Sequence, residues 1–307
     1  MRVALLADIH ANFVALEAVQ IDLQHQGVAG YWFLGDLVGY GPSPVECVRF
    51  LHDHALKHET RWAVGNHDGR LVSLPHTGDF GHEAQAVIER HRTIIQQDRT
   101  LWAWCQHAFR DEAHVTPQVY QDGATRFVLV HACLTPGLYV GPTATSYLYP
   151  HERELLHTHA FKPLRELAGD ETTTCLLYGH THMPAFCVLA RVAAQPLAYR
   201  RLLPITYGHP TALPPGLVAL NPGSVGQPRD GDNRAAYAIL DTSAATIEFR
   251  RVTYRHVRTQ RLMQGYPERF VKRIFHAGDH EHSNDLVRFR TVYRPEANGL
   301  AVVEELS

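Results

Sequence analysis

Long apolar runs are missing from this 307-residue chain: none reaches 18 residues, so no segment is long and apolar enough to cross a bilayer as a helix. A dominant charge is missing too. With 29 Lys and Arg against 31 Asp and Glu the formal net charge is −2, which gives no general basic field for a nucleic-acid backbone or an anionic membrane surface, so nucleic-acid binding is unsupported. Cysteine is scarce. Cys47, Cys105, Cys133, Cys175 and Cys187 are odd in number, scattered and mostly inside apolar segments, and they read as reduced core thiols. The opening Arg2-Val3-Ala4-Leu5-Leu6-Ala7 runs into Asp8 too soon for a signal-peptide core, and a cytoplasmic location is expected. There is no internal repeat, low-complexity stretch or interdomain linker. The expectation is one main domain over residues 1–275, with a helical insertion at 69–123 that could form a cap, and a tail, 276–307, of no assignable role. What the chain has in plenty is histidine, 22 residues.

Apolar, β-rich runs recur, and each ends in polar residues. Residues 2–7 lead to Asp8-Ile9-His10, then Phe13 to Gln26 carries helical spacing at Phe13, Leu16, Val19 and Leu23 before Gly27. Tyr31–Leu34 leads to Gly35-Asp36, a Gly/Pro-rich loop and a helix from Val45 to Leu56. Arg61–Val64 leads to Gly65-Asn66-His67-Asp68. A long helical stretch is expected from His82 to Phe109, its Trp102 and Trp104 reading as core. Arg126–Val130 ends at His131, and Thr173–Tyr178 ends at Gly179-His180-Thr181-His182, with a loop at 135–149 and a helix at 151–168 between them. Thereafter strands are expected at 185–191, 199–206 and 217–220, and a hairpin at 235–241 and 246–252. A closing helix is expected from His256 to Phe275, followed by a polar tail with an apolar patch at 300–303.

His-x-His alone means little here, because it also occurs at His52/His54, His157/His159 and His280/His282. The other strand ends lift the copy at His180/His182 above the rest. Sorted together they offer Asp8, His10, Asp36, Asn66, His131, His180 and His182, a mixed nitrogen and oxygen set too large for one cation and suited to two divalent ions. Such a pair holds a hydroxide in line with phosphorus and neutralises phosphoryl oxygens. His67, beside a proposed ligand, is the candidate general acid, with Asp36 counted among the catalytic groups. The turn-rich stretch Asn221 to Gly231 has backbone amides that could cradle an anion, and Ser224, Gln227 and Arg229 are the candidate phosphate contacts. Tyr40, Asn66 and Tyr139 are expected near the substrate.

Taken in order, D-x-H at 8–10, GD at 35–36, GNHD at 65–68, a lone His131 and GH-x-H at 179–182 resemble the calcineurin-like metallophosphoesterases, over roughly residues 1–255. The segments LGDLVGYGP and NPGSVGQPRDGD resemble bacterial members grouped with dinucleoside-polyphosphate hydrolases and broad-specificity phosphoesterases. The resemblance implies an α/β fold, a four-layer α-β-β-α sandwich of two mixed sheets. It also implies that Asp8, His10, Asp36 and His182 hold one metal, and that Asp36 bridges to a second held by Asn66, His131 and His180. Two departures stand out. Where relatives read GDxVDRG or GDLVNRG, this chain has Gly35-Asp36-Leu37-Val38-Gly39-Tyr40-Gly41, so Tyr40 replaces a phosphate-gripping arginine and Gly39 replaces the group that orients the motif histidine, and His67 lacks that partner unless Asp68 or another group substitutes. Ala11 stands where relatives commonly have glycine, and Val-His-Ala-Cys at 130–133 stands where relatives often have His-Gly-Ser/Thr.

The losses at Gly39 and Tyr40 count against a protein phosphatase. The implied function is hydrolysis of a phosphodiester or pyrophosphate bond in a small nucleotide-like molecule by metal-bound hydroxide. The alternatives are a broad-specificity phosphomonoesterase, protein phosphatase included, and a non-catalytic metal-binding scaffold. Two divalent ions, Mn, Fe, Zn, Co or Ni, are the implied cofactors. Nothing in the sequence bears on oligomeric state.

Overall fold

A computed structural model describes residues 1–57, 59–74, 80–132, 172–191, 198–276, 292–295 and 301–304. The loop expected at 135–149, the helix expected at 151–168 and Tyr139 lie outside them.

The first strand, β1 (Arg2–Leu6), shows how sequence sets the layers. Successive side chains of a strand point to opposite faces. Val3, Leu5 and Ala7 enter one apolar cluster with Trp32, Phe127, Leu177 and Leu220, while Ala4 and Leu6 enter another with Leu16, Val48 and Leu51. A strand buried on both faces therefore belongs to a sheet with a second sheet on one side and helices on the other.

That sheet also contains β2 (Gly30–Phe33) and β3 (Glu59–Trp62), both running parallel to β1. On the other side of β1 lie β11 (Ala235–Asp241), β12 (Thr246–Val252) and β9 (Thr211–Ala212), antiparallel in turn. The second sheet has the order β4-β5-β6-β10-β7-β8: Gln118–Asp122, Thr125–Leu129, Thr173–Leu177, Gly216–Asn221, Ala185–Arg191 and Ala198–Leu202. Its β5, β6 and β10 are parallel and the flanking pairs antiparallel, so both sheets are mixed. The outer face of the second sheet carries an apolar cluster of Val128, Val130, Leu176, Tyr178, Cys187 and Ala219.

Helices α1 (Phe13–Leu23) and α2 (Pro44–Ala55) follow β1 and β2 and connect them to the next parallel strands. Asn12 caps α1 by accepting the Ala15 amide, and Pro44 opens α2, where its missing N–H costs nothing. The stretch expected as one helix from His82 to Phe109 is two, α4 (His82–Ile95) and α5 (Arg99–Ala108), following the short α3 (Asn66–Leu71). The break is at Asp98, whose carboxylate caps α5 by accepting the Leu101 amide. α6 (Glu112–Val115) then leads to β4, whose Gln-Val-Tyr-Gln-Asp composition hid it. Ile88, Ile95, Leu101 and Phe109 join the main core, and Trp102 and Trp104 pack against it half-buried, so α4 and α5 form part of the helical layer on α2.

The closing helix is likewise two, α7 (His256–Leu262) and α8 (Glu268–His276). Gly265, with φ of 81°, and Pro267 interrupt it. The strand expected at 199–206 is shorter, and the apolar tail patch falls in β14 (Ala301–Glu304), paired antiparallel with β13 (Val292–Pro295). No helix among the described residues is long and apolar enough to cross a membrane.

Candidate metal centre

The parallel strands of both sheets end at one edge, and their following loops meet there. The backbone ties them together: Asp8 and His10 amides donate to the carbonyls of Gly35 and Asp36 (3.0 and 2.9 Å), and Gly179 donates to His131 (2.9 Å). Two carboxylates also take part, with Asp8 Oδ1 accepting the His180 amide (3.0 Å) and Asp36 Oδ1 accepting the His67 amide (2.9 Å). Gly65 is required at this junction, since a Cβ there would lie 2.1 Å from Asp36 Oδ1. Asp8, His10, Asp36, His180 and His182 all adopt left-handed φ, between 46° and 67°. Such backbone costs about 1–3 kcal/mol per residue and concentrates where function demands it.

Two groups of ligand atoms result, Asp8/His10/Asp36/His182 and Asp36/His131/His180, with Asp36 common to both and every member buried. His10 Nε2 and His131 Nε2 lie 3.6 and 3.4 Å from Asp36 Oδ2, and His182 Nε2 lies 3.6 Å from Asp8 Oδ1. Asn66 Oδ1 and His180 Nδ1 lie 3.1 and 3.2 Å from His131 Nε2, which places Asn66 beside the second group.

The proton inventory shows that a cation fits. His10 donates Nδ1–H to the Val38 carbonyl (3.0 Å) and His182 donates Nδ1–H to the Gln227 carbonyl (2.6 Å). In each neutral ring Nε2 is then an acceptor, yet these two acceptors face each other at 2.9 Å. A shared metal ion resolves that opposition. Buried Asp8 Oδ2 has no hydrogen-bond partner among the described residues, a further free donor atom for such an ion.

Titration points the same way. Burial, reinforced by Asp36, pushes the Asp8 carboxyl up to about 8. Burial acts upward on Asp36 too, but the imidazoles of His131 and His67 outweigh it and hold that carboxyl well below the usual range. Burial works against a charged His131, yet Asp36 outweighs it and lifts the ring to about 9, so a proton at Nε2 stands where the second group would hold a cation. Burial lowers His180 to about 3 and keeps His10 and His182 well below their ordinary value, as neutral ligands must be.

The stretch from Asn221 to Gly231 braces this centre. Its amides at Gly223, Val225, Gly226 and Gln227 donate to Asn221 Oδ1, the carbonyls of Ala7 and Asp8, and Ser224 Oγ, at 2.8–3.1 Å. These four amides are committed inward and are not available to an anion. Ser224 is fully buried and its hydroxyl donates to the Asp8 carbonyl (2.7 Å). Gln227 is buried as well, its Oε1 accepting from Arg229 Nη2 (3.2 Å). Arg229, 7% exposed, brings its positive charge to bear on Asp8, His10, His67, His180 and His182, with its guanidinium 6.0 Å from the Tyr40 ring.

A scan of family models matches residues 1–245 to the calcineurin-like phosphoesterase superfamily domain. The chain belongs to that superfamily. The phosphoesterase is 30% identical to a metallophosphoesterase from Sphaerobacter thermophilus of known structure, over 90% of its own length and 100% of the other, with a TM-score of 0.64. An uncharacterized protein of Methanocaldococcus jannaschii is 27% identical over 253 residues, 82% of this chain and 87% of that one. A symmetrical bis(5'-nucleosyl)-tetraphosphatase of Ectopseudomonas mendocina is 30% identical over 105 residues, and that match spans 34% of each chain. The phosphoesterase is thus a metal-dependent phosphoric ester hydrolase with two mixed sheets and flanking helices.

Three supporting residues lie in or beside its motifs. Asn12 Nδ2 donates to the Gly226 carbonyl and Tyr254 hydroxyl (2.9 and 3.2 Å), joining the first motif to the chain beyond β12. Asn221 Nδ2 donates to the Gly179 carbonyl and Thr181 Oγ1 (2.8 and 3.0 Å), setting the turn that carries His180 and His182. Asp68 accepts from the Leu37, Val38 and Gly65 amides (2.9, 3.1 and 3.1 Å), so both its oxygens serve the backbone and neither orients His67. Asn12 lies just beyond the D-x-H motif and Asn221 opens the NPGSVGQPRDGD segment, while Asp68, expected beside His67, serves the backbone instead.

Proposed function

We propose that this phosphoesterase hydrolyses a phosphodiester or pyrophosphate bond of a small nucleotide-like molecule, using two divalent ions. The sharing of Asp36 between two buried ligand groups carries this reading. Asp8, His10, Asp36 and His182 hold the first ion, and Asp36, Asn66, His131 and His180 hold the second. Such ions supply charge neutralisation for phosphoryl oxygens and lower the pKa of water toward about 7. Arg229 faces the anionic substrate in place of the arginine that Tyr40 displaces, and Tyr40 lines the same wall. His67, buried against the rings of His10 and Tyr40 at 4.8 and 4.5 Å, passes a proton to the leaving oxygen. The partial match to symmetrical tetraphosphatases supports a nucleotide-like substrate.

Hydrolysis of a dinucleoside polyphosphate, a cyclic nucleotide, bis-p-nitrophenyl phosphate and p-nitrophenyl phosphate with Mn²⁺ tests the reading, alongside Asp36→Asn. Diester or pyrophosphate turnover that disappears in Asp36→Asn is expected. A clear monoester preference overturns the substrate class, and unchanged turnover by Asp36→Asn overturns the two-ion mechanism.

A further inference from the structure

An imidazole that passes a proton is usually oriented by a hydrogen bond at its other ring nitrogen. His67 is 3% exposed, yet its Nδ1 has no hydrogen-bond partner among the described residues. Nδ1 instead abuts the backbone of Gly39, where a Cβ would lie 2.1 Å from Nδ1 and 2.8 Å from Cγ. The rings of Tyr40, Phe80 and His10 enclose the remaining sides, with centroids 4.5, 4.8 and 4.8 Å from that of His67. Among the described residues, packing is what confines this ring.

The wall of that slot is a strained turn, tied by its own backbone only at Gly41, whose amide donates to the carbonyls of Gly39 and His10 (2.6 and 3.0 Å). Gly39 and Tyr40 are consecutive left-handed residues, φ 94° and 55°, and the tyrosine conformation costs about 1–3 kcal/mol. His91, fully buried on α4, accepts the Gly39 amide at Nδ1 (3.2 Å) and donates Nε2–H to the Gly41 carbonyl (2.9 Å). The one ring thus clips both ends of the turn. Phe270 of α8 backs the Tyr40 ring at 4.8 Å, and Met263, Tyr266 and Val87 complete the cluster around it.

We propose that His91 is a positioning residue for catalysis: it holds the Gly39–Gly41 turn so that the turn and the Tyr40 ring orient His67 by packing, in place of a hydrogen bond at Nδ1. The inference rests on His67 acting as the general acid. A misplaced acid slows departure of a leaving group that needs a proton and spares one that does not. A structural defect slows both.

The test compares wild type, His91→Phe and His91→Gln, each loaded with Mn²⁺ and checked for metal content. The amide of Gln can replace at least one of the two hydrogen bonds. Substrates are bis-p-nitrophenyl phosphate, with an activated leaving group, and a cyclic nucleotide, whose ribose oxygen is an unactivated leaving group that needs a proton. For His91→Phe at unchanged metal content, kcat for the unactivated substrate is expected to fall about 10²-fold while that for the activated one stays within about threefold, with His91→Gln recovering part of the loss. Equal loss on both substrates, or loss on neither, overturns the proposal. Should His91→Phe fail to fold, His91→Gln decides by the same ratio. The ¹⁵N and ¹H resonances of the His67 ring, recorded on the Zn²⁺-loaded proteins, give an answer independent of turnover. One sharp set in wild type and exchange-broadened signals in the variant are expected, and identical spectra overturn it. A wild type inactive on both substrates sinks the hydrolytic reading, while the spectra still judge the orientation of His67.

Discussion

Replacing Ser224 with alanine removes one oxygen that serves two partners. Its hydroxyl donates to the Asp8 carbonyl at 2.7 Å and accepts the Gln227 amide at 2.8 Å, in a fully buried setting. The two losses are unequal. The Asp8 carbonyl keeps the Gly226 amide at 3.1 Å, whereas the Gln227 amide loses the partner it has in the fold. A buried amide left unsatisfied costs about 1–3 kcal/mol, which sets the expected loss of unfolding free energy. In a chain of this size that is a fall in Tm of several degrees, at about 2–4 °C per kcal/mol. The functional consequence passes through the next link, since the Gln227 carbonyl holds His182 Nδ1–H at 2.6 Å. Relaxation at Gln227 loosens His182, and affinity for the ion shared with Asp8 and His10 should fall about 10–100-fold while the other ion stays. Urea unfolding of the metal-free protein and calorimetric Mn²⁺ titration measure the two effects. Unchanged stability together with two wild-type binding events refutes the reasoning. A raised KM at unaltered metal affinity would make Ser224 a substrate contact instead of a brace.

Two further perturbations separate parts of the centre. His182→Ala should empty the group containing Asp8 and His10, and His180→Ala should weaken the group containing His131 and Asn66, so a metal titration in which both variants lose or keep the same ions counts against the division. Acid should act on the helix α4 brace: burial lowers His91 from its ordinary 6.5 to about 3, offset in part by the Gly41 carbonyl and furthered by His67 and Arg90. Because the fold favours the neutral ring, this contribution is complete above pH 6.5 and is lost as pH falls toward 3, at about 1.4 kcal/mol per pH unit. The stability gap between metal-free wild type and His91→Gln should therefore narrow from pH 6.5 to pH 4.5 by about 2–3 kcal/mol, and parallel pH profiles would disprove it.

The candidate ligand set was legible in the sequence because each member follows an apolar run directly: strand, turn and polar side chain are contiguous, and a local pattern records them. Asp8, Asp36, Asn66, His131 and His180/His182 needed no knowledge of which strands are neighbours. The helix breaks at Asp98 and Gly265 were also written locally, as a cap and a left-handed glycine before proline, but periodicity across each break masked them. Strand β4 was illegible because its polar residues exist as a strand only through pairing with β5.

What the tertiary structure decided was the partner of each group. Sequence separation says nothing about which distant carbonyl takes an imidazole proton. Only the meeting of both sheets at one edge set His182 on Gln227, made Ser224 and Asn221 supports for the centre, and turned the Gly223, Val225, Gly226 and Gln227 amides inward. His91 is the clearest case. Within α4 it is one apolar-face position among several, and its two hydrogen bonds to the Gly39–Gly41 turn arise from residues some 50 positions away. The sequence by itself determined which atoms could bind metal; the fold alone determined which of them face each other, because burial and hydrogen-bond geometry are properties of proximity in space.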